Sequence, residues 1–519
     1  MRLIRLAVVS VTALPLVTVA ASSGPSPARP VIALSSVLPA VAEAAPDPGV
    51  TFRLTRRTVI VASGPAAAVA GRLASALRPA TGFPLPVRAE GDEAAIALIL
   101  EPGHPPEGYR LDIGADRVEL RATGPAGLFA GTQTLRQLLP PEIEAATPQR
   151  GRWSLPGGRI VDRPRYAYRG AMLDLARHFH EPAEVRRYID QLSRFKVNHL
   201  HLHLSDDQGW RIRIDSWPRL TEVGGAPGTG VGGEGGGFLT KDDYRQLVRY
   251  AADRFITIVP EIDMPGHVNA AQVAYPSLTC DGKAPRPRTD MRVGYSSLCV
   301  SADITYRFAE DVIRELAEMT PGPYLHIGGD EAMSTPHGSY LTFQKRVLPM
   351  VRAHGKIPYG WHEIAQSPAA GDAVIQFWGR ERSSPSVTTA VAAGARVVLS
   401  PANRSYLDMK YDMLTPGGLD WAGYIEVRTA YSWDPGRLLS GVPEEAVLGV
   451  EAPLWSETLR DSDDIEFLAF PRLVAIAELG WSPRSAHDWP FFRARLGAYG
   501  PRWVRAGVRF HRSPQIRWS

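Results

Sequence analysis

Residues 185–207, VRRYIDQLSRFKVNHLHLHLSDD, decide the fold. Val185, Tyr188, Ile189, Leu192 and Phe195 recur at the three-and-four spacing that gathers apolar side chains on one helical face. The next run, His199–Leu204, reads as a buried strand, and it ends on Ser205-Asp206-Asp207. The same helix-then-strand texture repeats on either side. Tyr244, Leu247, Val248 and Ala251 form a second helical face after a start signal at Thr240, and Phe308, Val312, Leu316 and Met319 form a third. Short strand-like runs stand between such helices: Tyr168–Leu173, His199–Leu204, Thr257–Pro260, Tyr324–Ile327, Ile357–Gly360, Val374–Phe377, Arg396–Leu399 and Ala446–Val450. Strands that alternate with helices in this way predict an α/β chain with a (β/α)8 TIM barrel over residues 164–519. An open, doubly wound sheet is the alternative. The count of strands, and the lack of a Gly-rich phosphate turn after the first, favour the barrel.

Residues 50–163 read as a separate small α/β domain. Thr58–Val61, Ala94–Leu100 and Arg117–Arg121 suggest strands, and Ala66–Leu77 and Ala126–Leu139 suggest helices. None of these pieces gathers polar side chains for chemistry. Pro156-Gly157-Gly158 and Asp162-Arg163-Pro164 then read as punctuation before the barrel. Residues 1–49 are expected to be a signal peptide and low-complexity leader. Arg2 and Arg5 precede an apolar run from Leu6 to Ala21, which is short for a membrane span. Cleavage is expected after Ala20 or after Ala42-Glu43-Ala44, and the Ala/Pro/Ser stretch from Ser22 to Pro48 is expected to be disordered.

A hydrophobic fraction of 44% and a net charge of only +4, with no long basic run, describe a soluble protein without a nucleic-acid footprint. Secretion, no stable membrane association once the signal is removed, and a monomer are the corresponding expectations. Cys280 and Cys299 are the only cysteines. In an exported chain they point to one disulfide, worth about 3 kcal/mol in the chain-entropy model; two free buried thiols are the alternative.

A barrel of this type places its chemistry just past the C-terminal ends of the strands. Those ends carry Asp174, Asp206 and Asp207, Glu261 and Asp263, Asp330 and Glu331, Trp361 with Glu363, Trp378, and Trp455 with Glu457. Indoles beside carboxylates suit a sugar, whose C–H face stacks on an aromatic ring while its hydroxyls take hydrogen bonds. Adjacent acids such as Asp330 and Glu331 raise each other's pKa, as an acid catalyst of glycoside cleavage requires. His199, His201 and His203 alternate along one strand and could suggest a metal site, with His267 and His326 as recruits. The later strand ends offer Trp, Tyr and Glu rather than further ligands, so hydrogen-bonded histidines are the expectation, with no metal and no cofactor.

The runs LDLARHF, HLHLSDDQGWRI, VPEIDMPGH, HIGGDE, YLDMKY, WAGY and EAPLWSE resemble glycoside hydrolase family 20, the β-N-acetylhexosaminidases, and most closely its secreted actinobacterial branch. The resemblance implies an exo-acting glycosidase that removes terminal N-acetylglucosamine, and N-acetylgalactosamine as well, with retention through an oxazolinium intermediate. It implies Glu331 as general acid/base, with Asp330 orienting the acetamido group and Tyr406 hydrogen-bonding its oxygen. Trp361, Trp378 and Trp421 would enclose the acetamido methyl, and Trp455 would floor the sugar. Arg177, Asp408 and Glu457 would hold the hydroxyls, while Asp206 and His267 support Glu331. Asp207 is expected to be a structural partner, and the Gly-rich stretch Gly224–Gly237 a mobile loop. A sugar-binding protein without catalysis would lack the acid at 331. An ordinary retaining glucosidase would need two carboxylates straddling the ring.

Overall fold

The computed structural model describes residues 32–91 and 95–519. Residues 1–31, where the signal-peptide reading falls, lie outside them. Among the described residues no helix is long and apolar enough to cross a membrane.

The first domain is a seven-stranded sheet: β1 (Glu43–Arg53), β2 (Val59–Val61), β3 (Val87–Arg88), β4 (Ala95–Leu100), β5 (Tyr109–Ile113), β6 (Arg117–Ala122) and β7 (Ser154–Asp162), in the order β1-β7-β5-β6-β4-β2-β3. β5 and β6 alternate buried with partly exposed residues, the pattern of a sheet covered on one face. Helices Ala66–Thr81 and Pro125–Leu138 supply the cover. Pro156-Gly157-Gly158, read as a break, lies inside β7. It faces a register shift of β1 between Pro46 and Thr51, and a Cβ on Gly157 would lie 2.4 Å from that of Val50. The prolines and glycines mark a bulged edge pair rather than a boundary.

Residues 32–48 are not a leader tail. Leu34, Val37 and Leu38 are buried, and the segment runs between the two domains. The Leu38 amide donates to Gln137 Oε1 (2.8 Å), the Ala40 amide donates to Glu478 Oε2 (3.0 Å), and Arg495 Nη1 donates to the Val37 carbonyl (2.9 Å). Composition missed this because the groups that satisfy the segment's backbone lie far along the chain. The second cleavage position considered, after Ala44, falls within β1.

The second domain is a closed barrel of eight parallel strands. These are β8 (Tyr168–Asp174), β9 (His199–His203), β12 (Thr257–Glu261), β13 (Tyr324–His326), β14 (Ile357–Trp361), β15 (Val374–Phe377), β16 (Arg396–Leu399) and β17 (Val447–Ala452). A two-stranded hairpin, β10 (Ser205–Asp206) and β11 (Gly209–Trp210), follows β9. All eight runs expected from the sequence are barrel strands. The apolar faces expected on Pro182–Arg194, Lys241–Ala252 and Asp303–Met319 pack in the core, Val248 alone being only partly buried. Thr240 caps its helix by accepting from the Asp243 amide.

Asp162, the last residue of β7, pins the domains together. Its Oδ2 accepts from Tyr109 Oη (2.7 Å), Lys196 Nζ (2.9 Å) and Trp481 Nε1 (3.0 Å), all buried. A buried carboxylate needs this many donors to offset the hydration it gives up.

Candidate active site

The catalytic-looking residues converge on a cavity of about 230 Å³ at the C-terminal end of the barrel. Each is held there by the turn that follows its strand. After β8, Asp174 Oδ1 accepts from the amides of Ala176 (2.7 Å) and Arg177 (3.2 Å), and Oδ2 accepts from the Ser456 amide (3.1 Å). That turn presents Arg177, whose guanidinium lies 4.8 Å above the Trp455 ring and pairs with Asp206 at 2.8 Å. Its contact with Asp174 is longer, 3.5 Å.

Asp206 is a buried hub. It also meets His203 Nε2 at 2.8 Å and His267 Nδ1 at 3.1 Å. Burial alone would push its carboxyl up, but Arg177 and His267 outweigh that and hold it well below the usual range. Asp207 points away, accepting from the Asn269 amide (2.9 Å) and Ser296 Oγ (2.6 Å), as its structural role requires. His267 reaches from Asp206 to the acid pair, its Nε2 lying 3.8 Å from Asp330 and 3.7 Å from Glu331. Burial opposes its charge, yet Asp206, Asp263 and Asp330 raise its pKa well above the usual value.

The acid pair follows β13 in a turn of left-handed residues: Gly328 (φ 66°), Gly329 (φ 98°) and Glu331 (φ 42°). Only glycine fits at 328, where a Cβ would lie 1.9 Å from Asp263 Oδ1, the atom that accepts from the Gly329 amide. Glu331 is pushed up to about 7, first by burial and then by the neighbouring Asp330 charge. About half of the glutamates therefore carry a proton at pH 7, where an ordinary one carries almost none.

The opposite wall is aromatic. Trp378 and Trp421 meet edge to face (6.1 Å), as do Tyr406 and Trp421 (5.9 Å). Asp408, Trp455 and Glu457 complete the lining. Burial raises the carboxyls of Asp408, well above the usual range, and Glu457. Both oxygens of Asp408, Oε2 of Glu457, Oδ1 of Asp330 and Nε of Arg177 are buried without a hydrogen-bond partner in the protein. Groups arranged in this way are set to receive a polar ligand.

Trp361 departs from its expected place in the wall. It is fully buried and does not line the cavity; its indole N–H donates to Glu261 Oε1 (2.8 Å) and its ring packs on Trp455 (5.7 Å). Two of the alternating histidines bind carboxylates: His201 lies between Glu451 (3.0 Å) and Glu261 (2.9 Å), and His203 between Glu261 (2.5 Å) and Asp206, while His199 meets Asn198 Oδ1 (2.7 Å) and stacks on Tyr168.

Three groups went unassigned in the sequence. Asp263 faces Asp330, and burial together with that charge pushes its carboxyl well up, against the pull of His267. Glu363 accepts from Trp378 Nε1 (3.1 Å), and burial and Asp330 push it up to about 8. Met291 and Val293 line the cavity from the loop that Cys280–Cys299 closes, a disulfide spanning 19 positions. Asp263 carried a signal, since it stands at a strand end. Glu363 carried the same signal, standing just past β14, while the loop pair carried none. The Gly-rich stretch is tethered rather than free: the amides of Gly230, Val231 and Gly232 donate to the carbonyls of Gln208 (2.8 Å), Arg177 (2.9 Å) and Thr289 (2.8 Å). Glycine there permits close backbone approach, which composition alone had suggested was mobility.

Residues 166–484 match the family model for the catalytic domain of glycosyl hydrolase family 20, and residues 34–163 match that for domain 2 of the same family. A β-N-acetylhexosaminidase from Cellulomonas fimi is 41% identical over 476 residues, covering 91% of this chain and 94% of that protein. The Streptomyces coelicolor β-N-acetylhexosaminidase structure superimposes with a TM-score of 0.91 at 52% identity, covering 94% of this chain and 99% of the other. A Streptomyces plicatus β-hexosaminidase mutant, solved with its product GlcNAc, gives 0.92 at 53% identity, covering 95% and 99%. With both domains matched and the acid pair, arginine and aromatic wall assembled at one end of the barrel, the chain belongs to glycosyl hydrolase family 20.

Proposed function

We infer that this protein is an exo-acting β-N-acetylhexosaminidase that releases terminal N-acetylglucosamine with retention, using the substrate's acetamido oxygen as nucleophile. The observation that carries the reading is the pairing of Glu331, its carboxyl raised to about 7, with Asp330 beside an aromatic box of Trp378, Tyr406 and Trp421. A cavity of about 230 Å³ has room for one sugar ring, which suits attack at a chain end.

In the first step the acetamido oxygen bonds to the anomeric carbon as the glycosidic C–O bond breaks, and Glu331 gives its proton to the departing oxygen. The positive charge that develops on the acetamido nitrogen is offset by Asp330, while Tyr406 donates to the acetamido oxygen. Burial, then Asp330, holds the Tyr406 phenol well above the usual value, so it remains a donor. In the second step Glu331, now ionised, takes a proton from water, whose oxygen opens the oxazolinium ring at the same carbon. Two displacements give retention, and this family is a recognised exception to the two-carboxylate scheme. Arg177, Asp408 and Glu457 supply partners for the ring hydroxyls, Trp455 lies under the ring, and Asp206 and His267 hold Glu331 in a charged frame. Trp361 acts from below, through Trp455. Export is part of the same proposal, supported by the cationic, then apolar N-terminus and by the disulfide.

The test is kcat/KM across acetyl, monofluoro-, difluoro- and trifluoroacetyl glucosaminides with one leaving group. Fluorine weakens the carbonyl nucleophile, so the rate should fall steadily along the series. A flat series, or a covalent glycosyl–protein adduct, would overturn the reading.

A further inference from the structure

A second cavity, about 280 Å³, opens at the other end of the barrel. Its lining includes Tyr431, Trp433, Asp434, Arg484, His487 and Trp489. The location follows from Arg165, which precedes β8: it binds Asp434 (2.8 Å) and Glu444 (2.6 Å), and Glu444 precedes β17. The cavity therefore sits at the strands' N-terminal ends, opposite the catalytic mouth.

Its composition repeats that of the catalytic cavity with one omission. Both combine aromatic rings with an arginine–carboxylate pair, here Arg484 and Asp434 at 2.9 Å. Of the chain's 12 tryptophans, six are not buried. Four of those six line one cavity or the other: Trp378 and Trp421 the first, Trp433 and Trp489 the second. The second set is also built rather than loose. Tyr431 stacks on Phe492 (4.3 Å) and donates to Glu478 (3.1 Å), and the Trp433 indole N–H donates to the Ala430 carbonyl (2.9 Å). His487 Nε2 is buried without a partner, and burial holds the ring neutral, so it can donate or accept. What is omitted is the acid pair. Asp434 is the sole carboxylate in the lining and is committed to arginines, so nothing there can protonate a leaving group.

We propose that this cavity is a second, non-catalytic carbohydrate site that takes one neutral pyranose ring, stacked on its tryptophans and hydrogen-bonded by His487 and the Arg484–Asp434 pair. Apolar walls with a few convergent polar groups are the general form of such sites. Through it the enzyme holds one part of a polymeric substrate while chain ends are removed at the opposite face.

The test uses the full chain carrying Glu331→Gln, labelled with 5-fluorotryptophan and titrated with chitotetraose. Trp433→Phe and Trp489→Phe assign the two fluorine resonances. Both should move and saturate by about 10 mM sugar, ten times a millimolar Kd. Ser432→Tyr, a change at an exposed position on the cavity's rim, should abolish their movement while the Trp378 and Trp421 resonances still respond. In the otherwise native enzyme Ser432→Tyr should leave hydrolysis of a small aryl glycoside within about twofold and lower the release of sugar from insoluble chitin. Response of the catalytic cavity alone, or shifts of Trp433 and Trp489 that Ser432→Tyr does not touch, would overturn the proposal. Failure of the fluoroacetyl test would leave this one standing, because binding is read directly.

Discussion

Two layers of buried charge lie one above the other in the barrel. The lower belongs to the strands themselves: His201, His203, Glu261, His326 and Glu451, with Gln376 donating to Glu451 (2.7 Å) and Tyr168 to the same carboxylate (2.6 Å). There nearly every acid faces a base. Although burial pushes Glu261 up, three histidines hold it well below the ordinary range; against its own burial, His201 is raised to about 9 by Glu451 and then Glu261. The upper layer stands just past the strand ends. There Asp330, Glu331, Asp408 and Glu457 face one another or the cavity, and several of their oxygens have no partner. Pairing makes the lower layer a scaffold. Incomplete pairing makes the upper layer reactive, because a group left protonated against its ordinary pKa has a proton to give.

The largest expected effect is on activity in the upper layer. Glu331→Gln keeps the shape and removes the transferable proton, so cleavage of chitobiose should fall roughly 10²–10⁴-fold or more. Aryl glycosides with very acidic leaving groups should lose less in the first step. Near-normal turnover of chitobiose would break the comparison at its upper half.

The lower layer is tested by stability. Glu261→Ala strips His201, His203, His326 and Trp361 of a shared acceptor and leaves the raised His201 and His203 buried with one carboxylate each. Unfolding in urea should show a loss of about 3–5 kcal/mol, the usual consequence of removing one partner from a buried charge network. A loss under about 1 kcal/mol would mean that the layer is not the scaffold its pairing suggests.

How much of this was legible in the sequence depended on whether a signal was local. Barrel strands are short apolar runs between amphipathic helices, so Val374–Phe377 and Arg396–Leu399 could be read to the residue. The acid pair could be read too, because topology sends strand ends to one face. β5 and β7 were missed. Arginine, aspartate and glycine interrupt them, and what makes them strands is pairing: β7 lies between β1 and β5, both far away along the chain, and β5 also folds back on β6 across a three-residue turn. Residues 32–48 failed for the same reason; Glu363 was visible past a strand end, but its role rests on the indole of Trp378. Trp361 shows the limit within a motif: its position after a strand is visible, but whether the ring faces the cavity or Glu261 is decided by packing.

The smallest effect is the sharpest test, because it separates the layers within a single residue. Glu331 has its carboxyl raised from the ordinary 4.5 to about 7, by burial first and by Asp330 second. A carboxyl that binds its proton more tightly when folded favours the folded state at low pH. It costs stability as pH rises, beginning above about 4.5 and complete once pH passes about 7. The full displacement corresponds to about 3 kcal/mol; the side chain keeps 27% of its surface exposed, so about 1–3 kcal/mol is the expected size. Glu331→Gln removes that cost. The variant should match the wild type in Tm at pH 4 and melt higher at pH 8, a gain seen beside its loss of activity. Asp330→Asn supplies the second arm: removing the neighbouring charge should move the pH step toward 4.5 without erasing it, since burial is the larger cause. A Tm difference that does not change between pH 4 and pH 8 would show that Glu331 is as well accommodated as the acids beneath it, and the distinction between the layers would fall.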